Sequence, residues 1–496
     1  MKSRIFASIS LVALLAGCNV TPKPISAGEL ATRATQNIER VTADQEPVAG
    51  SIDIYEAMSR ALKYNLDYKV ELMEESLKAR ELNLASYDML PQLVASGGYA
   101  GRNNYSGASS LSLLTRRQSL EPSTSSEKDI FSGDLTLSWD ILDFGLSYVR
   151  AKQKADEGLI AMEHRRKVAN RIIEDVRTSY WRAVSAERLL SKLQQLGGNV
   201  STTLNNSERL AERRLSAPLT ALTYQRELID IQAEIRRLQR ELVIAKSQLA
   251  ALMNLKPGTE FNLVLPERST ALPTVSVSGE DMTLTALRNR SELREVNYRQ
   301  RINKKELDAT LLKALPNFKA LIGVNVDSNN FLYNNNWLQY GARASWNVLN
   351  LFRLPAEKKV IGAQDSLLKE RELALTMAVM TQVHVSRARY AHYSTELETA
   401  AHGYAVQNKI LYQIRSGFKA GAMSQQTLLR EEMNTLVSEV KYDIAYADAQ
   451  NAYANLFASM GIDDFAPDIT GRENVTTLKT ALNKLWDDRQ TALKLD

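Results

Sequence analysis

Residues 138–144 run Ser138-Trp139-Asp140-Ile141-Leu142-Asp143-Phe144, and residues 345–351 run Ser345-Trp346-Asn347-Val348-Leu349-Asn350-Leu351. Each phrase closes a run of alternating apolar and polar residues and opens a long helical pattern. An earlier pair of phrases, Met89-Leu90-Pro91-Gln92 and Ala314-Leu315-Pro316-Asn317, ends a helical stretch and opens an extended one. The copies stand about 205–225 residues apart, far beyond a solenoid period, so the repeated unit has the size of a domain.

The extended runs have period two. Leu135, Leu137, Trp139 and Ile141 alternate with Asp134, Thr136, Ser138 and Asp140. Phe318, Ala320, Ile322, Val324 and Val326 do the same, as do Leu338, Tyr340, Ala342, Ala344, Trp346 and Val348. The run Leu93 to Tyr99 is softened by glycine. These patterns predict strands near 92–104, 129–142, 317–327 and 337–349, each with one wet and one apolar face. The connections 103–128 and 328–336 are rich in Ser, Asn and Thr and suit exposed loops.

The remainder is helical. Ile231, Ile235, Leu238, Leu242, Ala245, Leu249 and Leu252 keep a 4-3 spacing, the seam of a coiled coil. Ile172 to Leu196 carries a similar stripe, and Val383, Tyr390, Leu397, Tyr404 and Leu411 recur every seven residues. The spacing predicts helices over about 146–197 and 200–254, each roughly 75 Å long at about 1.5 Å per residue. The fold class is therefore mainly α with β, a duplicated repeat of long coiled-coil helical hairpins plus strand pairs.

Composition narrows the function. The chain has 496 residues, 44% hydrophobic, with 22 glycines and 12 prolines, few enough to favour long helices. Mean hydropathy is −0.28, and no stretch past the N-terminus approaches the roughly 20 apolar residues of a spanning helix. A membrane role must use strands or a lipid. Basic runs such as Arg165-Arg166-Lys167 sit among acids in helices and argue against nucleic acid as a partner. His164, His384, His392 and His402 have no metal-ligand spacing, and no Walker loop, nucleophile elbow or His-Glu-x-x-His occurs. No catalytic residue, metal site or cofactor is expected, so the chain is read as no enzyme.

Lys2 and Arg4 precede an apolar run, Ile5 to Leu15, that ends in Leu15-Ala16-Gly17-Cys18. This pattern predicts a signal peptide over 1–17. The tetrapeptide resembles the lipobox of bacterial lipoproteins, which implies a diacylated Cys18, the chain's single cysteine. Asn19 in place of Asp implies sorting to the outer membrane.

The order helix, strand, strand, long helical hairpin, given twice, resembles the TolC family of bacterial outer-membrane factors. Local phrases add to it: Ala286-Leu287-Arg288-Asn289-Arg290-Ser291-Glu292-Leu293, Ala250-Ala251-Leu252-Met253-Asn254-Leu255 and Ala458-Ser459-Met460-Gly461-Ile462. The resemblance implies a homotrimer whose strands close a 12-stranded transmembrane β-barrel, continuous with a periplasmic α-helical barrel. It divides the chain into a signal peptide (1–17), a lipidated linker (18–50), a first repeat (51–255), an equatorial linker (256–280), a second repeat (281–463) and an equatorial tail (464–496). It implies the outer-membrane channel of a tripartite efflux pump or type I secretion system. Its partners would be a periplasmic adaptor and an inner-membrane pump or ABC transporter.

The resemblance also names sites. The hairpin tips, where an adaptor would dock, fall at Leu215, Ser216, Ala217 and Pro218, and at Phe418, Ala420, Gly421, Ala422 and Ser424. The periplasmic gate falls at Thr427 and Arg430, where the best-known family member is acidic. Either the gate is basic here, or Glu431 or Glu432 supplies the acid from a shifted register. The alternative reading is a non-channel periplasmic coiled-coil structural lipoprotein, which would leave the strand quartet unexplained.

Overall fold

The computed structural model describes residues 22–43, 45–119, 121–213, 218–462 and 473–491. Cys18 lies outside them, as do Leu215, Ser216, Ala217, part of the C-terminal tail and the side chain of Leu242.

The duplication is visible element by element. Helix α1 (Ala27–Val41) precedes the first half, which comprises α2 (Ile54–Tyr64), α3 (Leu66–Tyr87), β1 (Gln92–Gly101), β2 (Asp129–Asp140), α4 (Ile141–Glu212) and α5 (Pro218–Leu252). The second half repeats the order as α6 (Gly279–Asn289), α7 (Ser291–Lys313), β3 (Asn317–Asp327), β4 (Asn336–Ser345), α8 (Leu349–Lys419) and α9 (Gln425–Ser459), before α10 (Val475–Thr491). Between α2 and α3 the chain breaks at Asn65 (φ −60°, ψ 129°), and between α6 and α7 at Arg290 (φ −65°, ψ 129°). The Asn65 side chain accepts from the N–H groups of Asp67 and Tyr68, satisfying donors that a new helix leaves open.

The strands form one antiparallel sheet in the order β1-β2-β3-β4. β2 ends at Asp140 because its carboxylate accepts from the Asp143 N–H at 3.0 Å and starts α4. The predicted strands 92–104, 129–142 and 337–349 are too long: β1 ends at Gly101, β2 gives way to helix at Ile141, and β4 ends at Ser345, ahead of the helix at Leu349.

One prediction fails outright. The break expected at Gly197-Gly198 does not exist, and α4 runs unbroken for 72 residues, about 108 Å at 1.5 Å per residue. A helical glycine costs only about 1 kcal/mol relative to alanine. Leu196 and Val200 are buried on either side, and Gly197 faces Ile235, so the packed seam outweighs that cost.

Helices α5, α4, α9 and α8 lie side by side in that order, each packed on the next. The seam shared by α4, α5 and α9 includes Leu189, Leu193, Leu228, Ile235, Leu429 and Met433. A larger core surrounds α2, α6 and α10, with Met58, Val176, Tyr180, Met282, Val383, Leu456 and Trp486 at its centre. The linker before α6 is strapped over this core. Ile52 pairs with Leu263, Tyr180 donates to the Val264 carbonyl at 3.0 Å, and Tyr390 donates to the Pro273 carbonyl at 2.5 Å. Arg177 is buried beneath α10, with its guanidinium 4.4 Å from the Trp486 ring centre. Burial pushes it down to about 10.

Candidate functional site

In a sheet that faces water the exposed residues are polar. Here the order is inverted. The register places Leu93, Leu137, Ile322 and Tyr340 in one row, and Ala95, Leu135, Val324 and Leu338 in the next. Along this face Leu93 is 64%, Phe131 63% and Tyr340 80% exposed. The opposite face is more polar, carrying Ser96, Asp134, Asn325 and Trp337 in one row and Gln92, Ser138, Leu321 and Gly341 in another, with Ser138 buried.

Aromatic residues bracket the apolar face. Tyr99 and Phe131 pack at 4.9 Å at the loop end, and Trp139 meets Phe144 edge-on at 5.8 Å at the helix end. Rows Phe131 to Trp139 cover eight steps, about 27 Å along the strand at 3.4 Å per residue. Tilted by about 40°, that spans about 21 Å along a barrel axis, most of the apolar band of a membrane barrel, roughly 25 Å tall. Among the described residues β1 and β4 have no partner on their outer sides, so the sheet has two open edges.

The loops at this end are joined. Asn329 accepts from the Glu127 N–H and donates to the Ser125 carbonyl, tying 328–335 to 102–128. Ala108 pairs with Ser123 and Leu111 with Gln118, so the longer loop is itself a small hairpin.

The helices also carry unpartnered seams. Leu66, Val70, Met73, Leu77, Leu84 and Tyr87 form a heptad stripe on α3 whose members are all exposed. Leu222, Ile229 and Val243 form another on α5, and Val360, Leu367 and Met377 a third on α8. Among the described residues no helix is long and apolar enough to cross a membrane.

At the second hairpin tip, α8 ends in a Schellman turn. The Ala422 N–H donates to the Gly417 carbonyl at 2.9 Å and the Gly421 N–H to the Phe418 carbonyl at 3.0 Å. Gly421 has φ +74°, a conformation that glycine adopts without steric cost. Ala420 and Phe418 belong to this turn. Ser424 caps α9 by accepting from the Thr427 N–H at 3.1 Å. At the first tip Pro218 opens α5, where its missing N–H is no loss.

The charges near Thr427 are arranged in a way the sequence reading missed. Arg430 is half exposed and its Nη1 lies 3.3 Å from Glu227 on α5. Gln426 also donates to Glu227, and Gln425 donates to Thr203 at 3.0 Å, fastening the tip of one hairpin to the other. Glu431 accepts from Gln407 at 2.8 Å and Glu432 from Arg415 at 2.9 Å. No local pattern marks Glu227, Gln407 or Arg415, because their partners lie on other helices.

No protein-family model matches the sequence, and no curated protein does. Solved structures do match in fold. The CmeC outer membrane channel of Campylobacter jejuni superposes with a TM-score of 0.63 at 12% identity, covering 94% of this chain and 98% of that one. CusC gives 0.62 at 16% identity, covering 85% of this chain and 96% of that one. The open state of the Neisseria gonorrhoeae MtrE outer membrane channel gives 0.62 at 15%, covering 82% and 88%. The chain has the TolC-like outer-membrane channel fold. Within the TolC-like fold the duplicated helix-strand-strand-hairpin order is the defining feature, and both copies are present here. Sequence identity this low carries the architecture and leaves the site residues to be argued from their own geometry.

Proposed function

We propose that this chain is one subunit of a homotrimeric outer-membrane channel for efflux or secretion. It catalyses nothing and conducts cargo handed over in the periplasm by an adaptor and an inner-membrane pump or ABC transporter. The observation that carries this reading is the inverted sheet with two open edges. Its large apolar side chains gain roughly 1.5–3 kcal/mol each only when removed from water, and its edge N–H and C=O groups need partners inside a bilayer. Closure by copies of the same chain meets both demands. Two copies would give eight strands, an interior that side chains fill; three give 12 and leave room for a lumen.

The bare stripes on α3, α5 and α8 support the same assembly, since each offers a coiled-coil seam to a neighbouring subunit. In this reading a lipid on Cys18 anchors the trimer and the hairpin tips, Leu215 to Pro218 and Phe418 to Ser424, dock the adaptor. The Arg430–Glu227 pair lies at the periplasmic entrance, where the charge is balanced within the subunit. The inverted sheet favours the channel over the coiled-coil scaffold, which has no use for an apolar face in water.

The deciding experiment combines topology and conduction. Cysteines introduced at Ser109 and Asn334 should react with an impermeant label on intact cells, and the purified trimer should form discrete pores in a planar bilayer. Labelling that requires outer-membrane disruption, or trimers that conduct nothing, would refute the reading.

A further inference from the structure

The polar face of the sheet is not uniformly charged. At the end joined to the helices, Asp140, Lys319 and Arg343 occupy one row, by the pairings Asp140–Lys319 and Lys319–Arg343. Two cationic residues directly opposite on one face have Cβ atoms about 5 Å apart, and such like-charge pairs are destabilising. The one acid in the row, Asp140, keeps its charge but makes no ion pair with either cation, because its oxygens are held in other hydrogen bonds. One Asp140 oxygen accepts from the Asp143 N–H at 3.0 Å and the other from the Asn317 side chain at 2.5 Å. Among the described residues neither Lys319 nor Arg343 has an ion-pair partner, and both are exposed. Toward the loop end the same face carries Asp134, opposite Asn325, and Asp327, opposite Ser132. The face is thus basic at the inner end and acidic at the outer end.

We propose that Lys319 and Arg343 form a cationic ring at the inner mouth of the barrel that binds phosphate, sulfate or carboxylate groups of traversing molecules. The proposal rests on the channel reading, because only barrel closure brings the copies into one ring. The apolar face must meet lipid, so the opposite face lines the lumen. Each subunit then adds two cations against one carboxylate at one depth, a net positive charge repeated around a low-dielectric wall that concentrates its field. Rings of Lys and Arg are a known means of selecting anions. The stability lost by setting like charges opposite each other is what a binding site for the opposite charge would recover.

The test uses the full-length trimer in planar bilayers with inorganic tripolyphosphate as the probe. The unaltered channel should be blocked in a voltage-dependent manner. Lys319→Gln and Arg343→Gln should each raise the half-blocking concentration about tenfold, and the double variant further, while Asp134→Asn should not raise it. Arg343→Lys, which keeps the charge, should retain the block. Equal block in the double variant and the parent overturns the ring while leaving the channel intact. Loss of the trimer in Arg343→Gln and Arg343→Lys alike overturns it too, because Arg343 would then be a structural partner of the next subunit. A trimer that forms no pore removes the channel reading and this inference together, whereas unchanged block removes the inference alone.

Discussion

Arg268, in the linker between the two halves, places its Nε 2.6 Å from Asp443 Oδ1 on α9. Its Nη2 also lies 3.1 Å from Glu439, while Arg188 and Lys192 of α4 hold the same two acids at 2.9 and 2.8 Å. Burial works against the charge of Arg268, and Asp443 and Glu439 outweigh it, holding the guanidinium above its ordinary value. The linker is therefore tied across the joint between both hairpins.

Arg268→Ala should destabilise the subunit by about 1–3 kcal/mol. The figure stays below that of an isolated buried pair because Arg188 and Lys192 continue to compensate the acids. Limited proteolysis should cut earlier within 256–280, and melting should begin at lower temperature. A protease pattern identical to the parent's would show that the strap contributes nothing.

Glu46 gives a pH dependence. Its carboxylate accepts from Lys63 at 2.6 Å and from the Val475 N–H that begins α10 at 3.2 Å. The Lys63 hydrogen bond chiefly lowers its pKa from the ordinary 4.5. A depressed folded pKa means that the stabilisation is complete above about pH 4.5 and is lost as pH falls through the lower folded value. Hydrogen exchange in α10 should accelerate across that window, and Glu46→Gln should remove the acceleration by making α10 loose at every pH. Exchange in α10 that ignores both pH and the substitution would contradict this.

Leu77 lies in the bare stripe of α3, more than half exposed. Leu77→Glu should leave the helical content of the subunit unchanged, since more than half of that side chain is exposed within the described residues. It should abolish the trimer, because a carboxylate buried in a coiled-coil seam without a partner is strongly unfavourable. Crosslinking and size measurement in detergent would show it; trimers at the parent's level would mean the stripe is not an interface.

The tip predictions separate assembly from export. Ala422→Arg should abolish export and leave trimer level unchanged, because the tip is remote from the seams and the sheet. Gly421→Arg should do the same with an added cost of about 1–2 kcal/mol from its left-handed backbone. Arg430→Asp would set a third carboxylate beside Glu227 and Glu431, so cation preference in single-channel recordings should rise. Normal export by Ala422→Arg would move the adaptor site elsewhere, and unchanged ion preference would remove Arg430 from the entrance.

Much of this was legible beforehand. The four strands were found because a residue's face in a sheet alternates strictly, so Leu135, Leu137 and Trp139 announce one side by spacing alone. The seams of α4, α5 and α8 were found for the same reason at a period of 3.5. Gly197-Gly198 misled the reading because glycine is a weak breaker in a helix whose neighbours are buried, and burial is not a local property.

The sequence by itself determined the duplication, the two periodicities and hence the elements, because backbone geometry ties side-chain direction to position along the chain. Only the tertiary structure decided which charges are satisfied. Arg430 looked like a free basic gate until Glu227 was placed beside it, and Glu431 and Glu432 looked available until Gln407 and Arg415 took them. Lys319 and Arg343 went the other way, ordinary in the sequence and left opposed in the sheet, with Asp140 committed to a helix start and to Asn317. Ion pairing depends on atoms a few ångströms apart that belong to distant segments, so it exists only once packing has brought the helices and strands together.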